Sequence, residues 1–499
     1  MNLDASFDAE DGATDPPAAT RRQLVAGAVD GLDALHLSKM ASVRESDLFL
    51  HVARDAARAD HLVELIKFYA PDLSVVAFPA WDCLPYDRVS PNGDIMAKRL
   101  DVLGKLLGKD KEFPDLVITT VNALLQKVPT PDVISSGLFT AKAGSKIDRE
   151  QLLECLARNG YRRSGTVVEP GDFAVRGGII DIFPTGAEQP LRLDLFGDEL
   201  EAIRAFDPLT QRSLGKVDRI ELLPVSEVLL DNDAVERFRV GYLQHFGAAT
   251  SDPLFESVTH GRPFPGMEHW LPLFHDQLVP ITDYLPNGCQ ISFDPLAEEA
   301  IAARHGTIGE HFESRRDPPE IARSMGDTPY RPLPPDALYI SEQQLQRVLT
   351  DRLQIEFSTF RATPQSGDDI EVVDLNGQKG YDFAAERTRP DQNLFDAVIA
   401  HIKEAQQADK HVLLAAASEG SLERLKMVLA DHGLDLVGRI QSWKELDKRE
   451  IPVLAVLPID HGFTTPKYRV LSEADIFGDR LSRPKRNADQ ISSFLKLQH

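Results

Sequence analysis

The sequence predicts an α/β protein. A parallel, doubly wound sheet of motor-like type carries an inserted small mainly-β domain, and a second small α/β domain follows. Three observations carry this. Between residues 47 and 129, short fully apolar runs alternate with amphipathic helical segments, the βαβ spacing of a parallel sheet. From Gly160 to Phe206 the apolar period changes to two. Beyond residue 386, strand and helix alternate again after a stretch rich in glycine and aspartate.

In order, residues 1–20 hold five acidic side chains, no lysine or arginine, and Pro16-Pro17, the composition of a disordered acidic tail. Asp47 to Val52 reads as a buried strand. The segment from about Asp55 places Leu62, Leu65, Ile66 and Tyr69 on one helical face. Leu73–Phe78 is the next strand. A helix capped by Asp94 follows, with Met96, Leu100, Leu103 and Leu107 inward and Gly108 as its stop. Asp115–Thr120 is another buried strand, and its following helix ends at Pro129. Helix 148–158, capped by Asp148 and stopped by Asn159-Gly160, leads into the β segment. Residues 226–356 return to α/β, with a strand at Gln290–Asp294, a helix to about His311, and proline-rich loops at 317–320 and 328–336. The last unit has a helix at 393–405, a strand at His411–Ala415 and a helix carrying Leu422, Leu425 and Leu429. Strands near 434–437 and 451–456 close it. The expected organisation is therefore a tail (1–22), a first domain in two halves (23–139 and 226–358), a β-rich domain (140–225), a linker (359–385), a third domain (386–478) and a basic linker (479–499).

The β segment is the richest in chemistry. Ile179, Ile180, Ile182 and Leu191, Leu193, Leu195 are apolar runs with polar neighbours at period two. Between them lie Arg162, Arg163, Arg176, Arg192 and Arg204, with Asp181, Asp194, Asp198 and Glu199, and with Phe173, Phe183, Phe196 and Phe206. Arginine, carboxylate and aromatic side chains interleaved on a small sheet are suited to a protein–protein hot spot; they equally describe solvated ion pairs over core phenylalanines.

Composition narrows the function. Lys+Arg 55 against Asp+Glu 78 gives a net charge of −23, so the surface as a whole repels phosphate backbones, and any nucleic-acid contact would be local. The three cysteines, Cys83, Cys155 and Cys289, are far apart and read as reduced thiols of a cytoplasmic protein. No apolar run reaches membrane-spanning length. A motor-like sheet calls for a phosphate loop, yet GxxxxGK[ST] is absent, and Gly31 to Lys39 offers no substitute at the first strand–helix turn. The sheet is thus a degenerate relative of the P-loop NTPase type. No cofactor is expected, and no catalytic residue is assigned. His260, His269 and His275, nine and six apart and broken by prolines, do not place two imidazoles on one helix face, so no metal is expected either.

FAVRGGIIDIFP (173–184) and LRLDLFGDELEAIRAFDPLTQRS (191–213) resemble the domain shared by the repair helicase UvrB and the bacterial transcription-repair coupling factors (Mfd). FPAWDCLPYDRVSPNGDIMAKRLDVLGKLL (78–107), VITTVNALLQKVPTP (117–131), GMEHWLPLF (266–274) and HGFTTPKYRVLSEADIFGDRLSRPKR (461–486) resemble coupling factors in particular. UvrB has a long tyrosine-rich hairpin near the first of these regions; here 15 residues with one tyrosine, Tyr86, separate Phe78 from Asp94. The resemblance implies the N-terminal UvrB-homology region of a coupling factor, followed by a small domain of packing character. It implies that the β-rich domain binds UvrA, with Arg162, Arg176, Phe183, Arg192 and Phe196 as matching contact residues. In the family, ATP, DNA and RNA polymerase are engaged by C-terminal domains that this sequence is expected to lack, and one of those domains covers the UvrA-binding surface until activation. The competing expectation is a UvrB-type ATP-dependent helicase or excision nuclease subunit, which the missing phosphate loop and the charge oppose.

Overall fold

The computed structural model describes residues 22–43, 48–108, 113–247, 252–316, 330–350, 352–361, 370–389, 393–434 and 438–478. The acidic tail, the 317–320 loop and the basic stretch 479–499 lie outside them, as do residues 435–437 of the expected 434–437 strand.

The first sheet has seven strands, all parallel, in the order Ile370–Asp374, Arg22–Ala26, Gln354–Phe357, Gln290–Phe293, Phe49–Ala53, Leu116–Thr120 and Val75–Phe78. Its central strands are buried on both sides, which is why they read as unbroken apolar runs. Successive side chains nevertheless serve different cores. Phe49, Ala53, Leu116 and Ile118 face helices Leu32–Ser42 and Ala56–Tyr69. Leu50, Val52, Val117 and Ile291 face helices Gly93–Leu106 and Glu342–Thr350. Asp55 caps the second helix by accepting from the Arg58 amide at 2.8 Å. The helix expected to be capped by Asp94 starts two residues earlier, with the Asn92 side chain accepting from the Asp94 amide at 2.8 Å.

The β segment leaves this unit after Leu138 and rejoins it near Glu227. Its sheet runs in the order Ser213–Val217, Glu199–Phe206, Leu191–Phe196, Ile179–Ile182, Asp172–Arg176 and Arg162–Arg163. All neighbours are antiparallel except the last pair. Entry and exit are bound together. The strands Phe139–Lys142 and Arg219–Leu222 pair, the Tyr161 hydroxyl donates to the Leu223 carbonyl at 3.1 Å, and Asn159 Nδ2 donates to the Gly137 carbonyl at 2.6 Å. Where the chain returns, Glu227 accepts from Arg99 at 2.6 Å, an ion pair closed to solvent on both sides; the Arg99 guanidinium lies 4.4 Å from the Phe78 ring centre.

The third sheet has the order Gln378–Lys379, Phe463–Thr464, Tyr468–Ser472, His411–Ala416, Val453–Val456 and Gly438–Arg439. The linker expectation needs correction here. Within 359–385, Ile370–Asp374 is the edge strand of the first sheet, and Gln378–Lys379 is an edge strand of the third. The third unit does not stand apart from the first. Trp443, Leu446, Phe463 and Tyr468 share one apolar core with Leu32, Leu35, Leu62, Ile66 and Tyr69. The Trp443 ring lies 5.2 Å from that of Tyr69, and Lys444 pairs with Asp72 at 2.5 Å.

Candidate protein-interaction site

The two faces of the inserted sheet differ in kind. Phe173, Ile180, Ile182, Leu193 and Ile203 point into a core closed by Leu152 and Leu156 of helix Arg149–Arg158. The register then fixes the opposite, outer face. Ala174 pairs with Asp181, Asp181 with Arg192, Arg192 with Arg204, and Asp194 with Ile179. The sequence's interleaved arginines and carboxylates are therefore side by side on one surface, within reach of cross-strand ion pairs.

Arg162 is exposed and binds Asp172 at 3.0 Å through Nε, with Glu169 at 3.3 Å from Nη2. Arg176 donates from Nη2 to the Gly165 carbonyl at 2.7 Å, and its Nη1 lies 4.0 Å from Asp181. Phe196 stands at the tip of the hairpin Leu191–Glu199 and is 76% exposed. Beside it is the second hairpin tip, Gly177-Gly178, joined by a 2.8 Å bond from the Leu195 amide to the Gly178 carbonyl. A Cβ at Gly178 would come within 2.6 Å of the Leu195 carbonyl oxygen, so this close approach requires glycine.

Two of the five expected contact residues are placed otherwise. Phe183 is 6% exposed and packs with Val167, Ala174 and Phe206. It lies on the outer side of the sheet, but residues 164–171 fold back over it, so it is core and not a surface anchor. Arg192 is half-buried and held internally. Nε and Nη2 grip Asp181 at 2.7 and 2.9 Å, Nη1 reaches the Gln211 carbonyl at 3.5 Å, and the guanidinium lies 4.7 Å from the Phe206 ring centre. The bond to Asp181 raises its pKa further. It organises the face and has little left to offer a partner.

Three members of the interleaved set lie outside the five expected contact residues. Asp181, 1% exposed, is the carboxylate around which Arg192 and Arg176 are arranged. Ile179 is partly exposed on the outer face, and Arg204 pairs with Asp194 at 3.0 Å. The alternation that marks Ile180 and Ile182 as core contained the placement of Ile179; the buried state of Asp181 left no such signal, because aspartate at that phase normally faces water.

The first strand–helix turn holds a different cluster. Arg58 donates to Asp294 at 3.1 Å, to Asp30 at 3.0 Å and to Asp33, all at the carboxyl ends of the parallel strands. Burial and the neighbouring carboxylates push Asp33 up to about 7, against the attraction of Arg58. His51, bonded to Ser292 at 2.8 Å, is pushed down to about 3 by burial. A triphosphate at the start of helix Leu32–Ser42 would face the Asp30 and Asp33 carboxylates, a repulsive setting. The three histidines of 260–275 are held separately: His275 at the Glu227 carbonyl, His260 at the Glu256 carbonyl, and His269 against Trp81 and Cys83. Among the described residues, no three His, Cys, Asp or Glu side chains are placed to hold a metal, and no helix is long and apolar enough to cross a membrane.

Residues 139–228 match the family described as the UvrB interaction domain, and residues 405–476 match that of the MFD D3 domain. The chain is 29% identical over 95% of its length to the transcription-repair-coupling factor of Escherichia coli, and 28% identical over 95% to that of Haemophilus influenzae. It is 27% identical over 90% to that of Rickettsia bellii. It spans 39%, 39% and 38% of those proteins, roughly two-fifths of the curated relatives it matches.

Proposed function

We propose, for a chain that its two family matches and its relatives place with the N-terminal region of transcription-repair coupling factors, that it recruits UvrA to RNA polymerase stalled at DNA damage. The observation that carries this reading is the outer face of the UvrB interaction domain. There, Arg162, Arg176 and Arg204 share a sheet with an exposed Phe196 and a partly exposed Ile179, on a protein of net charge −23.

The mechanism is recognition. An acidic partner surface is attracted locally while the rest of the chain repels it, which favours one docking orientation. Charge-assisted bonds from the free edges of Arg162 and Arg176 give direction, and Phe196 supplies the apolar area that a hot spot needs at its centre. Arg192 and Asp181 act beneath, keeping the guanidinium plane flat against Phe206. On the family's pattern, polymerase engagement and ATP-driven translocation on DNA belong to segments C-terminal to those matched here. The test is calorimetric titration of the full 499-residue chain with UvrA, for the wild type and for Arg176→Ala with Phe196→Ala. Saturable binding by the wild type, lost in the double variant with its circular dichroism unchanged, is the expected result. No binding by the wild type removes UvrA as the partner.

A further inference from the structure

Between strands Arg162–Arg163 and Asp172–Arg176, residues 164–171 form a strap across the outer face. Its pin is Val167, fully buried against Ala174, Phe183 and Phe206. Its clamps are side chains of the face itself. Arg176 Nη2 donates to the Gly165 carbonyl at 2.7 Å and to Thr166 Oγ1 at 3.4 Å, and Gln211 Nε2 donates to the Val167 carbonyl at 3.1 Å. At the strap's end, Glu169 lies 3.3 Å from Arg162 Nη2.

The anchors of Arg162 are unequal. Asp172 is buried in the sheet and holds both Nε, at 3.0 Å, and Nη2, at 2.9 Å, whereas Glu169 shares only Nη2, at 3.3 Å, and the Glu169 and Arg162 side chains are both largely exposed. An exposed pair at this distance is weakly held and open to exchange. The Glu169 backbone is itself tied, its amide donating to Asp172 at 3.3 Å, so the carboxylate is presented to the arginine rather than left to wander.

We propose that Glu169 is an internal placeholder on the partner-binding face, occupying the Arg162 edge with a carboxylate that an acidic side chain of the docking protein displaces. Residues 164–171 thereby tune affinity from within the domain. The strap holds the arginines in place while no partner is present, and it sets an energetic threshold that a partner without a correctly placed carboxylate does not cross. This rests on the recruitment reading above, and it assigns a specificity-determining role to a residue that contributes nothing to the sheet's core.

The experiment compares UvrA binding by the full chain as wild type, Glu169→Gln and Glu188→Gln, with dissociation constants from calorimetry and association rates from stopped flow. Glu188 is exposed in the same domain, and its substitution makes the same change in net charge. Loss of an exposed competitor corresponds to a tightening of about two- to five-fold for Glu169→Gln, carried mainly by faster association, with Glu188→Gln at wild-type affinity. If the wild type binds and Glu169→Gln is unchanged or weaker, or if both variants tighten equally, the placeholder role is wrong while recruitment stands. If the wild type does not bind, recruitment itself fails and the placeholder role falls with it. Unchanged thermal unfolding of Glu169→Gln separates either result from a folding defect.

Discussion

Phe183 and Phe196 lie 13 residues apart in one motif and look alike in sequence, yet the structure gives them opposite roles that can be separated quantitatively. Phe183 closes a four-residue cluster with Val167, Ala174 and Phe206, so Phe183→Ala removes a buried ring and leaves a void beneath the strap. Phenylalanine-to-alanine changes in cores cost about 3–5 kcal/mol. Because residues 164–171 can settle inward, the lower end, about 3 kcal/mol, is expected here. Phe196 is already in water, so its truncation should move stability by less than about 0.5 kcal/mol. The assay is native-state hydrogen exchange, which reports local opening in a multidomain chain where a single unfolding free energy is ill defined. The amides of Gly171 and Phe183, bonded to the Phe183 and Asp172 carbonyls, should exchange about 150-fold faster in Phe183→Ala, the equivalent of about 3 kcal/mol, and at wild-type rates in Phe196→Ala. Binding of UvrA should show the reverse emphasis, with Phe196→Ala weakened about 30-fold or more, the size of a hot-spot loss of 2 kcal/mol. Wild-type exchange in Phe183→Ala would refute the buried placement. Accelerated exchange across the domain in Phe196→Ala would refute the reading of Phe196 as a surface anchor.

Three further outcomes follow from the larger unit. Arg58→Met strands three carboxylates near one another, and calorimetry should show a loss of about 3–5 kcal/mol from the first domain; a smaller loss would mean that solvent reaches the cluster. The folded-state pKa of Asp33, about 7, lies above the unfolded value, about 3.9, so the fold favours the protonated acid. Its contribution is complete below about pH 4 and is lost as pH rises through about 7. Thermal stability of the wild type relative to Asp33→Asn should therefore fall between pH 5 and about 7.5, and a flat difference would place the proton elsewhere. Trp443→Ala should speed exchange in helix Ala56–Tyr69 and in strand Tyr468–Ser472 together, since the ring sits 5.2 Å from Tyr69 and 5.0 Å from Tyr468; a response confined to the third sheet would contradict the common core.

What the sequence made legible was periodicity. Ile180, Ile182 and Leu193 announce a sheet with one buried face, and the buried runs at 49–53 and 116–120 announce a parallel sheet, because each pattern follows from local geometry. What it hid was tertiary pairing. The outer face was readable only as a mixture of charge and aromatic area, because Val167 and Gln211, which bury Phe183 and tie down residues 164–171, come from segments with no period of their own. Ile370–Asp374 was read as linker for a related reason. Its neighbours are aspartate and glycine, and its late position in the chain gives no hint that it pairs with Arg22–Ala26 at the start. The third domain likewise looked self-contained because Trp443 is a single ring in a polar stretch, and its partners Tyr69 and Leu62 are hundreds of residues away.

These placements also bear on how a parallel α/β sheet is combined with a candidate interaction surface that lies elsewhere. In open α/β sheets the crevice outside the carboxyl ends of the strands is the usual ligand position. In this chain, Asp30 and Asp33 follow the strand Arg22–Ala26, Asp294 follows Gln290–Phe293, and Arg58 reaches all three from the helix after Phe49–Ala53. The position is filled by the protein's own charges, which bind the chain's early and late halves together and present carboxylates where a phosphate would need donors. The arginines that could meet an anionic group are instead spread over the outer face of the inserted sheet. Of these, Arg192 is committed to Asp181 and half-buried, while Arg162 and Arg176 are engaged within the domain but remain more exposed. Cohesion is thus assigned to a buried ionic cluster and recognition to a half-exposed one. The distinction is testable in the salt response of the two sites: Arg58's network, buried except at Asp30, should hold the first domain's stability nearly constant from low to high ionic strength, whereas UvrA affinity through Arg162 and Arg176 should fall over the same range. A first domain that weakened in step with UvrA binding would mean that the Arg58 cluster is open to ions and does not serve as internal cohesion.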